Sequence, residues 1–130
     1  MRINNNSKLN IHNLYFSKII FEKSVDKKDN SYSVDYNVTG VAQKNGCVEV
    51  TIDTKINGTN QEISLLVQTI GVFSVDNDVE DEIKDFILKN NSVAYMLPII
   101  RNQVLLLTSQ PNMEPILLPP VDVTELVGKH

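Results

Sequence analysis

Residues 93–109 read VAYMLPIIRNQVLLLTS, and apolar side chains stand at most of these positions. We interpret this segment as one long helix, in which Pro98 causes a kink or marks a restart because proline has no N–H to donate. The apolar residues surround the predicted helix instead of forming a single stripe. One sheet face cannot cover such a helix, so other elements of the chain or a second subunit must pack against it.

The segment that precedes this helix has the signals of a shorter one. Asp76-Asn77-Asp78 offers N-cap residues, and the acids at positions 80–82 suit the positive end of a helix dipole. Asn90-Asn91-Ser92 then interrupts the helical pattern, so the sequence predicts two helices with a break or a new cap between them. The apolar residues of the first helix fall on one face at helical spacing: Val79, Ile83, Phe86 and Ile87.

The first half of the chain alternates between apolar and polar residues with a period of two, which is typical of half-buried strands. The alternation is clear in 32–39 and 48–53, and residues 61–75 become apolar on both faces toward their end. An earlier strand at about 14–22 completes four, and the charged link at 23–30 is predicted to be a solvated loop. The order predicts an α+β fold: a four-stranded antiparallel sheet followed by two helices packed on one face.

Asn45-Gly46 predicts a hairpin turn, because both residue types tolerate positive φ. A two-residue loop there would set the apolar face of one strand against the polar face of the next. One extra residue corrects this mismatch, so we predict a β-bulge near Thr39-Gly40 that lets Val38 pair with Ile52.

Asn57-Gly58 predicts the next turn in the same way. A two-residue loop at this position would pair Ile52 with Ile63 and Val50 with Leu65. The apolar faces of these two strands then agree without a bulge.

The remaining segments predict one domain with a tail. Residues 111–121 read PNMEPILLPPV, which predicts an extended Pro-rich crossover, and a short C-terminal helix follows at about 122–127. Residues 1–13 are polar and rich in Asn, so we predict a flexible N-terminal tail there and a single domain over 14–130.

Composition excludes several classes of function. The 130 residues carry a net charge of -4 without a basic stripe, which argues against binding to nucleic acid. No stretch approaches the roughly 20 apolar residues of a membrane span, and the N-terminus lacks the apolar run of a signal peptide. Cys47 is the single cysteine, so no intramolecular disulfide can form. We therefore expect a cytoplasmic protein without membrane insertion.

The sequence holds no recognisable pattern for catalysis or for metal binding. His12, Cys47 and His130 lack the spacing of a metal site, and the motifs GxSxG, GxxxxGKS/T and GxGxxG are absent. We expect no enzyme activity, no metal and no cofactor. The surplus of apolar residues instead predicts a protein that binds other polypeptides through exposed apolar side chains.

Four segments together resemble SecB, the bacterial protein-export chaperone: 18–22 (KIIFE), 70–75 (IGVFSV), 97–101 (LPIIR) and 115–122 (PILLPPVD). The resemblance covers about residues 14–127 and includes the order of the elements. Ile99 stands where the family usually has Tyr, and Val123 stands where it has Phe. The client groove is therefore expected to be more aliphatic than in the family.

The resemblance implies a homotetramer, a dimer of dimers in which two sheets join edge to edge and the long helices are sandwiched between the resulting sheets. It also implies an ATP-independent holdase that binds unfolded polypeptides and passes them to the SecA motor. The residues that it assigns to the subunit interface are Met96, Ile99, Gln103, Leu106 and Leu107. Those that it assigns to the client groove are Tyr36, Leu97, Ile100, Val104, Leu117, Leu118, Val121, Val123 and Leu126.

The family docks SecA through an acidic face on strands 1 and 4, where this sequence departs from the pattern. Glu22 matches one of the acids, but Lys18 replaces an expected Asp. Leu66 falls where an expected Glu lies, and Ser64 replaces a Leu. Since Lys18 reverses a charge, we hypothesise that client holding is kept while delivery to SecA is altered or lost.

Two other functions fit the same resemblance. Some SecB-like proteins guard an antitoxin in a toxin–antitoxin system. A ligand-binding or scaffold oligomer without chaperone activity on the same fold is the second alternative.

Overall fold

The computed structural model describes residues 8–24, 31–43, 45–58 and 63–127. It contains one antiparallel sheet with the strand order β1-β4-β3-β2 and a helical layer on one of its faces. The predicted α+β class is confirmed. The elements are β1 (Leu9–Lys23), β2 (Tyr32–Ala42), β3 (Val48–Gly58), β4 (Ile63–Val75), α1 (Asp81–Phe86), a π-helical turn (Ile87–Asn91), α2 (Ser92–Thr108) and α3 (Val123–Val127).

The first strand is longer than predicted, because it begins at Leu9 and not near residue 14. Leu9 is buried in the core, and the Lys8 ammonium lies 3.0 Å from the Asp78 carboxylate. Residues 9–13 therefore belong to the sheet and not to a flexible tail. Residues 1–7 and 25–30, which include the rest of the predicted tail and most of the predicted loop, lie outside the described residues.

The turn between β2 and β3 occurs at the predicted Asn45-Gly46, where Gly46 has a φ of +82°. The Gln43 N–H donates to the Cys47 carbonyl at 2.8 Å, so the loop is one residue longer than a two-residue turn. Three-residue hairpin loops place a glycine in the left-handed region, which accounts for the position of Gly46.

The β-bulge predicted near Thr39-Gly40 is wrong. All of β2 pairs with β3 without a register shift, and Val38 does pair with Ile52 as predicted. The extra residue lies in the turn, which restores the match of apolar faces without disturbing the strand. Val41 is consequently exposed on the opposite face from Val38.

The turn predicted at Asn57-Gly58 is also wrong, because β3 continues through both residues and Gly58 pairs with Tyr32. The connection to β4 falls at residues 59–62, outside the described residues. Ile56 pairs with Leu65, and both are buried. The observed turn lies further along the chain than the predicted one. The observed register differs from the predicted register by an even number of residues, so the apolar residues still share one face.

Residues 81–108 form one continuous helical run. The predicted break at Asn90-Asn91-Ser92 is a π-helical turn, and Asn91 and Ser92 both keep right-handed helical dihedrals. The buried Ser92 hydroxyl donates to the Leu88 carbonyl one turn earlier, which satisfies it within the helix. The α2 helix runs through Pro98 without a restart.

The core lies between the helices and the inner face of the sheet. Alternate residues of β4 are buried, whereas the residues between them are half-buried or exposed on the outer face. None of the helices in the described ranges combines the length and the apolar composition that a membrane crossing requires. The largest fully buried side chains are Phe73, Ile52, Ile56, Leu65, Met96, Ile100, Leu118, Val67, Val93 and Val104.

Two buried threonines generate a prediction about stability. The hydroxyls of Thr54 and Thr69 are buried and have no hydrogen-bond partner. Replacing either by Val removes an unsatisfied polar group at similar volume, so we expect Thr54→Val and Thr69→Val each to raise the free energy of unfolding by about 1 kcal/mol. Urea denaturation measures this change. Thr39→Val, an exposed control, should change little, and a lower midpoint for both buried variants would contradict the assignment.

Candidate functional site

The Pro-rich crossover is held against α2 at two points. The Thr108 hydroxyl accepts a hydrogen bond from the Ile116 N–H at 2.9 Å, and the Arg101 Nε donates to the Leu118 carbonyl at 2.9 Å. Ile116 and Leu118 are buried, while Leu117 between them is 63% exposed. The crossover therefore anchors two alternate side chains in the core and presents the third to solvent.

The short α3 helix follows this crossover and is capped by Asp122. The Asp122 carboxylate accepts hydrogen bonds from the Thr124 hydroxyl at 2.6 Å and from the Glu125 N–H at 3.4 Å. These bonds, the hydroxyl first, lower the pKa of the Asp122 carboxyl. Leu126 is buried, so α3 closes the core beside β2 and the π-helical turn.

The predicted client groove is only partly at the surface. Leu117 is exposed, and Tyr36, Val121 and Val123 are half-buried. Burial raises the pKa of the Tyr36 phenol, and the nearby Arg101 guanidinium opposes this shift in part. Five of the predicted groove residues are buried in the core of the described chain: Leu97, Ile100, Val104, Leu118 and Leu126.

The residues predicted for the subunit interface also differ in how far they are exposed. Leu106 is 60% exposed, and Ile99, Gln103 and Leu107 are half-buried on α2. Met96, by contrast, is fully buried against the sheet.

Tyr95 is a surface residue that the sequence interpretation missed. It lies one turn before Ile99 and is exposed, and its ring meets the Phe73 ring edge to face at 6.3 Å. The i, i+4 spacing of Tyr95 and Ile99 on α2 is the signal that would have indicated it. With Leu106 they form an apolar stripe along the helix, in which Tyr95 and Leu106 are exposed and Ile99 is half-buried.

The edge strand β1 carries exposed apolar residues on both faces. Tyr15 and Ile20 are exposed on the outer face of the sheet, and Ile11 and Ile19 are exposed on the inner face. In the described sheet, β1 pairs with β4 alone. A long apolar strand at a sheet edge is a template for pairing with another chain.

The four residues of the predicted partner-docking face do come together on the outer face of β1 and β4. Glu22 pairs with Ser64, and Lys18 lies opposite Gln68, two residues from Leu66. The Gln68 amide is occupied, since it accepts from Ser17 at 2.7 Å and donates to Asp53 at 2.8 Å. This surface is therefore apolar and mixed in charge, not an acidic ridge.

A cavity of about 330 Å³ lies at the hairpin end of the sheet, between β2, β3 and the helical run. The sequence interpretation did not identify it. The signal in the sequence is the pair of small residues Gly40 and Ala42 at alternate positions of a strand, both on the inner face. At its rim the Lys89 ammonium lies 3.1 Å from the Asp85 carboxylate. Among the described residues no three His, Cys, Asp or Glu side chains gather as metal ligands.

The crossover anchor at Thr108 can be tested. Its buried hydroxyl donates to the Val104 carbonyl at 2.7 Å and accepts from Ile116, so Thr108→Val leaves the buried Ile116 N–H without a partner. We expect a loss of about 1–3 kcal/mol in the free energy of unfolding and faster amide exchange in residues 109–121. Denaturation and hydrogen exchange measure both effects. Ser109→Ala removes an exposed hydroxyl that bonds the Leu105 carbonyl at 2.7 Å, and it should leave both unchanged.

Comparison with known proteins identifies a solved structure with a similar fold. No family model matches the sequence. An uncharacterized protein of Methanocaldococcus jannaschii is 28% identical over 81 residues, which are 62% of this chain and 52% of the relative, so the match spans about half of that relative. A solved Mycobacterium tuberculosis SecB-like chaperone, Rv1957 in complex with a ChAD peptide from the HigA1 antitoxin, superposes with a TM-score of 0.68 at 15% identity. The superposition covers 89% of this chain and 91% of the other. The chain therefore has the SecB-like fold that its sequence resemblance predicted.

Proposed function

We propose that this chain is an ATP-independent holdase that assembles with copies of itself, binds unfolded polypeptides in the cytoplasm and carries out no chemistry of its own. One observation carries the proposal. A SecB-like fold here leaves apolar side chains exposed on several surfaces, among them the β1 edge, the α2 stripe and the crossover.

Two of these surfaces suit self-association. Pairing of β1 with β1 of a second copy would satisfy the open backbone edge and set the exposed apolar side chains of β1 beside those of the partner strand. Packing of the α2 stripe (Tyr95, Ile99 and Leu106) against the same stripe would bury it in a symmetric contact. Two such contacts per chain generate a dimer of dimers.

The third surface is then left for clients. It consists of the exposed Leu117 and the half-buried Tyr36, Val121 and Val123, and Tyr36 belongs to β2, the other outer strand of the sheet. Burial of apolar area yields roughly 25 cal/mol per Å², so about 400 Å² of client contact contributes on the order of 10 kcal/mol before ordering costs. Recognition of this kind needs apolar side chains and exposed backbone, so it tolerates many client sequences.

The residues on the outer face of β1 and β4 bear on how this chain would deliver clients to a partner. Lys18 and Leu66 stand on this face where the resemblance implies acids, and Glu22 is the acid that remains. A partner that binds through basic residues would meet a weakened attraction. We therefore propose that docking to SecA is reduced or absent. Co-elution with SecA at micromolar affinity or tighter would contradict this part of the proposal.

Guarding an antitoxin is the second candidate function. The structure that superposes on this chain is of a SecB-like chaperone with an antitoxin peptide bound, which favours a client of that kind. The genes beside this one distinguish the two functions, because an antitoxin client is expected to be encoded next to its chaperone.

The holdase proposal predicts that the purified protein suppresses aggregation of a chemically denatured client at a near-stoichiometric ratio, without ATP. The measurement is light scattering after dilution of the client from denaturant. A scaffold or ligand-binding oligomer on the same fold would leave the scattering unchanged, and that result would remove the holdase proposal.

Substitutions of two similarly exposed leucines distinguish the proposed assembly surface from the proposed client surface. Leu106→Glu places a charge in the α2 stripe, so we expect the particle mass from light scattering to fall below that of the wild type. Leu117→Glu places the same charge on the crossover, so we expect an unchanged mass and client affinity lowered by at least about tenfold. An unchanged mass for Leu106→Glu would contradict the proposed helix contact.

A further inference from the structure

The hairpin tip between β2 and β3 places a side-chain amide next to an unhindered backbone nitrogen. Asn45 and Gly46 are both exposed, and Gly46 has a φ of +82°. Apart from its chain neighbours, a Cβ built on Gly46 would meet no heavy atom within 4 Å. Since glycine carries no side chain, the Gly46 nitrogen can approach the Cγ of the Asn45 amide without steric obstruction.

A second contact at the tip favours reaction between these two groups. The Cys47 N–H donates to the Asn45 Oδ1 at 3.3 Å, which is the arrangement of an Asx-turn. When the Gly46 nitrogen attacks the Asn45 Cγ, negative charge develops on this same Oδ1. A backbone N–H that is already directed at that oxygen stabilises the charge as it forms.

The chain contains the same dipeptide in a different setting. Asn57 and Gly58 lie in β3, where Asn57 pairs with Ser33 on one side and with Ser64 on the other. Gly58 is buried and pairs with Tyr32. Both residues are therefore held in an extended strand, and this strand must open locally before the Asn57 side chain can fold back onto the Gly58 nitrogen.

We propose that Asn45 is a site of spontaneous deamidation, at which Gly46 closes a succinimide ring that water opens to a mixture of aspartate and isoaspartate. The Gly46 nitrogen bonds to the Asn45 Cγ and gives up its proton, and the side-chain nitrogen leaves as ammonia. Water then adds to either ring carbonyl and breaks the bond of that carbonyl to the Gly46 nitrogen, which takes up a proton again. The net change replaces the amide NH2 of Asn45 by OH and needs no oxidant, reductant or cofactor. This proposal does not depend on the holdase function.

The two products differ in their effect on the hairpin. Opening at the side-chain carbonyl gives aspartate with an unchanged backbone, whereas opening at the main-chain carbonyl gives isoaspartate, whose backbone contains one additional atom. The Gln43 N–H donates to the Cys47 carbonyl at 2.8 Å and closes this turn. Because the additional atom lengthens the loop inside that hydrogen bond, we expect isoaspartate to weaken the bond and to uncover Cys47, which is only 8% exposed in the intact protein.

Peptide mapping by mass spectrometry measures the reaction in the full chain. The purified protein is incubated at mildly alkaline pH and digested at intervals, and an isoaspartyl methyltransferase with labelled S-adenosylmethionine reports the isoaspartate fraction. We expect Asn45 to deamidate at least about tenfold faster than Asn57, because only Asn57 requires local opening of a strand. In denaturant the two sites should react at similar rates, since both have the same dipeptide sequence.

Two glutamine variants localise the reaction. Asn45→Gln should abolish the fast deamidation, because its longer side chain would have to close a larger and less favourable ring. Asn57→Gln is the matched control, and it should leave the rate at Asn45 unchanged.

Reaction of Cys47 with a thiol reagent tests the effect on the turn. We expect protein that is rich in isoaspartate at position 45 to react severalfold faster than fresh protein, because a buried thiol is shielded from the reagent. Fresh Asn45→Asp adds the charge without the additional backbone atom, so its thiol should react as slowly as that of the wild type. Asn45→Gln, carried through the same incubation, should also remain slow.

Three results would overturn the modification site: an intact Asn45 after incubation, equal rates at Asn45 and Asn57 in the folded protein, or a difference between them that persists in denaturant. The last of these would show that the fold does not select the site. Unchanged thiol reactivity in protein that contains isoaspartate at position 45 would refute the proposed effect on the turn.

Discussion

The close approach of α2 to β4 is the contact on which the other surfaces of this molecule depend. Gly71 permits it, because a side chain there would lie 2.5 Å from the Phe73 ring and 3.2 Å from the Met96 Sδ. With Met96 and Phe73 buried at this point, the rotation of α2 about its axis is set. The opposite face of the helix, with Tyr95, Ile99 and Leu106, is then directed to solvent. An apolar face that the chain's own core does not use is the feature that distinguishes this fold from a self-sufficient two-layer domain.

The outer strand β1 also carries apolar side chains that the core does not cover. A helical layer on one face covers β3 and β4 well, but it leaves apolar residues of β1 exposed on both faces. Natural proteins usually protect such edges with charges, proline or a covering element. In this chain Lys18 and the two register shifts of β1 provide limited protection, and the exposed isoleucines remain. Exposure of this extent is costly for a chain that stays monomeric.

Much of the fold could be predicted from periodicity, and the failures have physical causes. Alternation determines which face of a strand is buried, and it survives any even shift in register, so the inner face was correct although the turn at Asn57-Gly58 was not. A turn signal reports only what backbone geometry a residue tolerates, and Gly58 tolerates a strand as well. The extra residue that restored the faces of β2 and β3 went into the loop at Gly46, where left-handed geometry costs glycine little, instead of into a bulge at Gly40.

The site was less predictable than the fold. An apolar pattern in the sequence does not indicate which of the apolar side chains pack in the core and which remain exposed. A helix that is apolar on all sides does not reveal which of its residues face the sheet, so Met96, Ile100 and Val104 were assigned to surfaces although they lie in the core. The crossover shows the same limit. Ile116, Leu117 and Leu118 are consecutive and chemically alike, yet Ile116 donates to the Thr108 hydroxyl, Leu118 accepts from Arg101, and both are buried while Leu117 is exposed. What exposes Leu117 is thus a pair of polar contacts made by other residues, and no property of Leu117 itself indicates it.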